Sequence, residues 1–318
     1  MNRRSRRQNP LRKQGEHAAF GVWRKKELLL NIITVITPFY KGNAYLPQLC
    51  GVLEENARRL AAKRPENSVE WILVNDSPDI QMSVPQSDVL TVHALCHESN
   101  QGIHAARVTG LQHASGDFIL FLDQDDEISP DFFAKTCDAI GDADVAVANA
   151  WIEQANGSKK LLYRNEFQYR KITRMEVYAK THNQIASPGQ CLLRRTAIPE
   201  FWIRHILRTN GSDDLFLWLL MLGSRHRFVI IHEALYTHQY TGANLSAAVE
   251  KMDRSTLEVC SLLTQSGTVP CKIVKDLRRS RQMSQEWEQG GLVRRAKAII
   301  SNLDILVPAA FWKIKSSI

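Results

Sequence analysis

The sequence predicts an α/β fold: a Rossmann-like, mostly parallel sheet flanked by helices, followed by a helical extension. Two observations carry that expectation. Between residues 32 and 126, short β-branched or wholly apolar runs alternate with stretches whose apolar residues recur at helical spacing. Those runs also end in polar side chains (Thr37, Asp76, Asp123 and Asp125), which a parallel sheet would gather along one edge, where ligands bind. A chain of 318 residues, 44% hydrophobic and 23% charged, is large enough to bury a core and suits one large domain or one domain plus an appendage.

Residues 32–37 (Ile-Ile-Thr-Val-Ile-Thr) are β-branched throughout and read as a strand, with Pro38 expected to end its hydrogen bonding. Asn43 is placed to cap a helix running to about Arg64, with Leu46, Leu49, Leu53, Ala57 and Leu60 on one face and Pro47 tolerated in the first turn. Residues 69–74 and 89–95 read as two further strands, ending at Asn75-Asp76-Ser77-Pro78 and near His97. A turn at 99–102 then leads into a short helix over 104–114, closed by Gly116.

Residues 118–122 (Phe-Ile-Leu-Phe-Leu) read as a strand buried on both faces. The run stops in Asp123, Asp125 and Asp126. Three acids there repel one another and lose hydration unless something positive sits between them. A hydrated divalent cation carrying a phosphate ligand meets that need. A solvated acidic turn is the plainer alternative.

Residues 130–140 read as a helix and 145–150 as a strand, and the mixed stretch 151–174 contains a hairpin turn at Asn156-Gly157. Ser187-Pro188-Gly189-Gln190 precedes a short strand over 191–193, whose Arg194 and Arg195 read as a solvated end more readily than as phosphate contacts. Asp213 and Asp214 stand at the start of a helix over 215–222, where the helix dipole favours negative charge. Capping accounts for one acid, and the wholly apolar helix behind them implies that the other points into a cavity. Residues 228–231 read as a strand and 236–246 as a polar loop.

The remainder, 247–318, is mostly helical, punctuated by Gly290-Gly291 and Pro308. In its last segment Leu292, Ala296, Ile299, Leu303, Leu306, Ala310 and Ile314 share one side, while Arg294, Arg295, Lys297, Lys313 and Lys315 meet a single acid, Asp304. Such a helix can lie on a membrane surface or pack on the main domain, and the pattern leaves both open.

The net charge of +8 is local. The first thirty residues hold nine cations and two acids, a balance of +7, so the rest of the chain is nearly neutral. The basicity therefore belongs to an arm over residues 1–31, expected to be disordered, and a nucleic-acid groove in the fold is not expected. The six cysteines form no CxxC pair, sit mostly inside apolar patterns and read as reduced, buried thiols, so neither a disulfide framework nor a zinc site is expected. No apolar run is long enough to span a bilayer. The expected location is cytoplasmic. The Arg-rich arm and the basic amphipathic last helix make peripheral contact with the inner face of the cytoplasmic membrane a further expectation.

Six segments, in order, carry a resemblance: Ile-Thr-Pro-Phe-Tyr at 36–40, Val-Asn-Asp-Ser-Pro at 74–78, Asn-Gln-Gly at 100–102, Ala-Ala-Arg-Val-Thr-Gly at 105–110, Gly-Asp-Phe-Ile-Leu-Phe-Leu-Asp-Gln-Asp-Asp at 116–126 and Asp-Asp-Leu-Phe-Leu-Trp-Leu at 213–219. Together they resemble an inverting family 2 glycosyltransferase of the GT-A fold. The resemblance implies a catalytic domain over 32–246, with a nucleotide-binding half (32–126) and an acceptor-binding half (127–246), and a C-terminal extension over 247–318. It implies transfer of a hexose or N-acetylhexosamine from a nucleotide-diphospho-sugar, UDP-linked in the usual case, to a glycan or lipid-linked acceptor in bacterial cell-surface polysaccharide synthesis.

The resemblance also implies residue roles. Thr37, Pro38 and Tyr40 would line the nucleotide pocket, Asp76 would meet the base, and Arg107 would help bind the nucleotide. Asp123-Gln124-Asp125 matches the DXD motif, with Asp123 near the ribose and metal shell and Asp125 a ligand of Mg2+ or Mn2+. Asp214 matches the catalytic base, with Asp213 beside it. The family histidine aligns with Thr241, and His238, three residues earlier, is a substitute metal or phosphate ligand or a plain packed histidine. The Gln-x-x-Arg-Trp motif of processive synthases is absent, so one sugar per encounter is expected. A nucleotidyltransferase acting on sugar phosphates is the alternative; it would carry a Gly-rich basic loop after the first strand, where Pro38-Phe39-Tyr40-Lys41-Gly42 has one glycine.

Overall fold

The computed structural model describes residues 31–242, 249–289 and 291–317. The Arg-rich arm over 1–30 lies outside them, as does the 243–248 stretch containing Ser246, the expected domain boundary.

Four parallel strands form the first half of the sheet: β1 (Ile32–Phe39), β2 (Ser68–Asn75), β3 (Leu90–Cys96) and β4 (Phe118–Phe121), with helices α1 (Leu46–Lys63) and α2 (Ile103–His113) between them. The second half holds β5 (Glu127–Ile128), α3 (Phe132–Ile140), β6 (Val145–Glu153), β7 (Lys159–Leu161), α4 (Glu166–Lys171), α5 (Met175–Lys180), β8 (Cys191–Arg194), α6 (Glu200–Arg204), α7 (Asp213–Gly223) and β9 (Phe228–His238). One sheet results, in the order β3-β2-β1-β4-β8-β6-β9-β5, with β7 on β6. β5, β7 and β8 run antiparallel to their neighbours and the remaining pairings are parallel.

Successive side chains of a strand point to opposite faces. In β4, Ile119 and Phe121 enter one hydrophobic cluster while Phe118 and Leu120 enter the other. Both faces are covered, which is why the run is apolar without alternation. The second half matches the expected hairpin: Glu153 pairs with Lys159, and Gly157 takes a φ of 76° in the turn between them. The apolar helix α7 buries every side chain from Leu215 to Met221.

Several local expectations are corrected. β1 runs two residues past Thr37, and Pro38 pairs with Val74. Pairing with β4 has already ended at Ile36, so Pro38 serves one neighbour only. Asn43 caps nothing; its amide bonds the Ser83 N–H and the Gln81 carbonyl, and α1 starts after Tyr45 without a side-chain cap. Gly116 ends no helix either. Its N–H donates to Thr34 Oγ1, and a Cβ there would stand 2.7 Å from the Ile32 carbonyl. β9 has eleven residues and takes in the expected loop residues Tyr236 to His238, because Tyr236 pairs with Ala150 on one side and Ile128 on the other. Arg194 and Arg195 donate to the carbonyls of Gly141 and Ala114. Cys96 and Cys271 are exposed, and the other four cysteines are buried.

Four helices follow: α8 (Val249–Ser266), α9 (Cys271–Gln289), α10 (Leu292–Ser301) and α11 (Leu303–Ser317). α8 and α9 bury Val259, Cys260, Leu263, Ile273, Val274 and Leu277 in the same cluster as Ile119 and α7. α10 and α11 are separate helices broken at Asn302, whose amide donates to the Ala298 carbonyl. Pro308 sits inside α11. A proline has no N–H for the carbonyl four residues earlier, here that of Asp304. Lys180 at the end of α5 donates to that carbonyl instead (3.2 Å).

Candidate active site

The carboxyl ends of β1, β2 and β4, the N-terminus of α7 and the end of β9 open on one cavity of about 900 Å3. Pro38, Tyr40, Asp76, Arg107, Asp123 and Asp125 line it, as do Asp213, Asp214 and His238. Of the residues to which the resemblance gives nucleotide, metal or catalytic roles, Thr37 is the one not brought to it. The Thr37 hydroxyl is fully buried and accepts a hydrogen bond from Trp71 Nε1 (3.0 Å).

Asp76, just past the end of β2, is almost fully buried. Its carboxylate accepts from the N–H groups of Gln101 (2.7 Å) and Gly102 (2.8 Å) and from His97 Nδ1 (2.8 Å). Asp76 therefore fixes the loop that leads into α2 as well as facing the cavity. Tyr40 is held by Gln124, the middle residue of the acidic motif, which accepts from the Tyr40 N–H and donates to its carbonyl, both at 3.0 Å. A Cβ on Gly42 would fall 2.1 Å from Gln124 Oε1, so a larger residue there would push the Gln124 amide off Tyr40.

Arg107, on α2, is buried and forked. Nη2 meets Asp123 Oδ1 at 2.5 Å and Nη1 meets Asp213 Oδ2 at 2.6 Å. One guanidinium thus joins the end of β4 to the start of α7. The two carboxylates hold Arg107 firmly protonated despite its burial. Burial alone would raise Asp213, but Arg107 and His104 outweigh it and hold that carboxyl below its usual range. Asp123 is pulled the other way: burial, with Asp126 and Asp213 nearby, pushes it up against the pull of Arg107.

Two further carboxylates behave differently. Asp125 makes no hydrogen bond or ion pair to another of the described residues, and burial together with Asp126 and Asp123 pushes it up to about 6. Asp214 is pushed up to about 7 by burial and by neighbouring Asp213. Its Oδ2 accepts from Asn183 Nδ2 at 2.6 Å, and its Oδ1 accepts from the Leu215 N–H at 2.6 Å. A carboxylate with such a value can exchange a proton near neutral pH.

Asp126 points away from the cavity and is buried, accepting from the Tyr236 hydroxyl, the Gln239 N–H and His238 Nδ1 (3.0 Å). With Nδ1 donating to a carboxylate, His238 is oriented with Nε2 as its remaining ring nitrogen, the arrangement common in metal-ligating histidines. Burial would lower His238, but Asp126 outweighs it and raises it. Among the described residues no three His, Cys, Asp or Glu side chains are already gathered as around a metal ion. The donor chemistry nonetheless fits a hard divalent cation: Asp125 is an underpaired carboxylate destabilised by its neighbours, and His238 is backed by Asp126.

Sequence reasoning missed the other wall. Tyr178 and Asn183, near and just beyond the end of α5, line it, with Met252 and Thr256 from α8 and Leu277 and Arg281 from α9. Arg281 is largely buried and donates to the Thr181 carbonyl. Nothing in the local pattern of α8 or α9 marks these residues, because the cavity exists only once both helices have docked.

A cleft formed by the ends of β1, β2, β4 and β9 and the start of one helix, with acids converging from β2, β4 and α7, is the arrangement of a GT-A transferase. The chain belongs to Glycosyl transferase family 2, whose profile matches residues 34–202. It is similar to the uncharacterized glycosyltransferase YwdF of Bacillus subtilis (strain 168), 31% identical over 131 residues, which are 39% of this chain and 46% of that protein. The matched segments span a quarter to just under half of the length of the curated relatives first matched. Among solved structures it is similar to S. aureus TarS 1-349 in complex with UDP-GlcNAc, with a TM-score of 0.55 and 15% identity, covering 86% of this chain and 80% of that one. It is also similar to the mannosyltransferase PcManGT of Pyrobaculum calidifontis in complex with GDP-Man and Mn2+, with a TM-score of 0.50 and 13% identity, covering 90% and 83%. At these identities the two structures show the fold.

Proposed function

We propose that the protein transfers one hexose or N-acetylhexosamine from a UDP-linked donor to a hydroxyl of a glycan or lipid-linked acceptor, with inversion at the anomeric carbon, in bacterial cell-surface polysaccharide synthesis. One observation carries the reading. Asp125, underpaired, and Asp214, with a value near 7 and an amide clamp, line the same cavity. The first is suited to a cation and the second to a proton. The UDP-GlcNAc complex of TarS and the GDP-Man and Mn2+ complex of PcManGT support the donor class and the metal.

In this reading Tyr40, Pro38 and Asp76 receive the nucleotide at the ends of β1 and β2. Asp125 and His238, with Asp123 at the edge of the set, would hold Mg2+ or Mn2+, which when bound would supply positive charge for the departing diphosphate. Asp214 takes the proton of the acceptor hydroxyl as that oxygen bonds to the anomeric carbon from the face opposite the diphosphate. The sugar–phosphate C–O bond breaks and its electron pair leaves with the nucleoside diphosphate. No covalent nucleophile takes part. Asn183 orients the Asp214 carboxylate, and Arg107 keeps Asp213 charged and holds Asp123 and Asp213 in register.

Thermal shift with UDP-sugars and GDP-mannose, with and without Mn2+, tests the reading. A metal-dependent upward shift with UDP-sugars is expected, and Asp125→Asn should abolish it. No shift with any nucleotide sugar, or an unchanged metal-dependent shift in Asp125→Asn, would overturn it.

A further inference from the structure

The apolar side chains that the core leaves outside are concentrated in one place. Of thirteen large apolar residues exposed among those described, six fall between Ile299 and Ile314 and the rest are scattered over the molecule. In α10 and α11, Ile300 is 71% exposed, Leu303 50%, Val307 62%, Phe311 52% and Ile314 62%. Their spacing of three or four residues puts those of α11 on one stripe of the helix. This is largely the apolar side expected from the sequence, since Ile299, Leu303 and Ile314 belong to it; Leu306 departs by being half-buried, and Ile305 is fully inside.

The opposite side is fastened to the protein. Ala298 and Ile305 are buried, Arg279 grips both oxygens of Asp304 at 2.8 Å, and Lys171 donates to Ser316 Oγ. The outward stripe is therefore not a face left over by a detached helix. It is presented by a docked one.

Charge identifies what covers it. Arg294, Lys297, Lys313 and Lys315 are exposed on the same two helices, and their one acid, Asp304, is paired with Arg279. On α11, Lys313 and Lys315 fall on either side of the stripe at about 100° per residue. Two copies meeting through this face would bring like charges together. A surface apolar within and negative at its rim matches it. The helices have ten and fifteen residues, too short to cross a bilayer and suited to lying in its headgroup region. We propose that the outward face of α10 and α11 docks on an anionic phospholipid bilayer. The proposal does not depend on the transferase reading, because its test involves no sugar.

Flotation of the full chain with vesicles is the test. Expected is co-flotation with phosphatidylcholine vesicles containing phosphatidylglycerol, weaker with phosphatidylcholine alone and weakened by salt. Val307→Glu with Ile314→Glu should cut the bound fraction roughly tenfold with an unchanged unfolding midpoint. Lys297→Glu with Lys315→Glu, which leaves the stripe intact, should weaken binding to the anionic vesicles only. The proposal is overturned if the wild-type chain does not float, or if the apolar double variant floats like wild type, which would assign binding to the arm over 1–30. It is also overturned if sedimentation shows that the stripe holds two copies together and the double variant is a monomer.

Discussion

The two walls of the cavity are built on different principles. On the strand-end wall, Asp76 and Asp123 already have partners within the protein: backbone N–H groups and His97 for one, Arg107 for the other. On the helical wall, Asp214 has one side-chain donor, Asn183, and a neighbouring acid that pushes its proton affinity up. On the first wall, Asp76 and Asp123 are fixed positions that can receive a ligand without rearranging, with Asp125, unpaired among the described residues, beside them. The second holds a group that must change its charge during a reaction. The contrast teaches that a carboxylate's role is set less by its motif than by how many donors surround it.

Breaking the second wall should have the largest effect. Asp214→Asn is expected to lower kcat by about 10²–10⁴, the usual worth of a general base, with nucleotide-sugar affinity retained by calorimetry. In the wild type, kcat should fall as pH falls through about 7, because Asp214 gains a proton there and can no longer accept one. A flat profile, or near wild-type turnover in the variant, would place the base elsewhere.

Joining the two walls is the task of Arg107. Arg107→Met would leave Asp123 and Asp213 buried without a countercharge, and about 3–5 kcal/mol of stability should be lost, read by urea denaturation. A loss below about 1 kcal/mol would mean that the bridge holds nothing together.

The smallest effect is the most discriminating. Asn183→Ala removes a donor from the charged form of Asp214, so its pKa should rise and the acid limb of the kcat profile should move up by about one pH unit. Loss of kcat at every pH with an unmoved limb would instead point to a merely structural amide.

Much of this was legible in the sequence where the signal is local. The strand of residues 118–122 announces its double burial by lacking alternation, and Asp123 and Asp125 mark where it stops. The turn at Gly157 follows from Asn156-Gly157. Other features depend on pairings distant in the chain. Arg107 and Asp213 are 106 residues apart, so no window around α2 shows the bridge. Thr37 lies at a strand end, yet Trp71 on β2 claims its hydroxyl. Residues 236–238 look like loop because they are polar, and they become strand because β5 and β6 both pair with them. Asn183 and Arg281 reach the cavity only through the docking of α5, α8 and α9.

Pro308 has a consequence of its own. By withholding one amide hydrogen it leaves the Asp304 carbonyl open, and Lys180 fills it from the neighbouring helix. The proline thus works as a rivet hole rather than a flaw in the helix. Lys180 stands three residues ahead of Asn183, the side chain that steadies Asp214. The carbonyl that the proline frees is thus tied to the same short segment that carries the amide donor of Asp214.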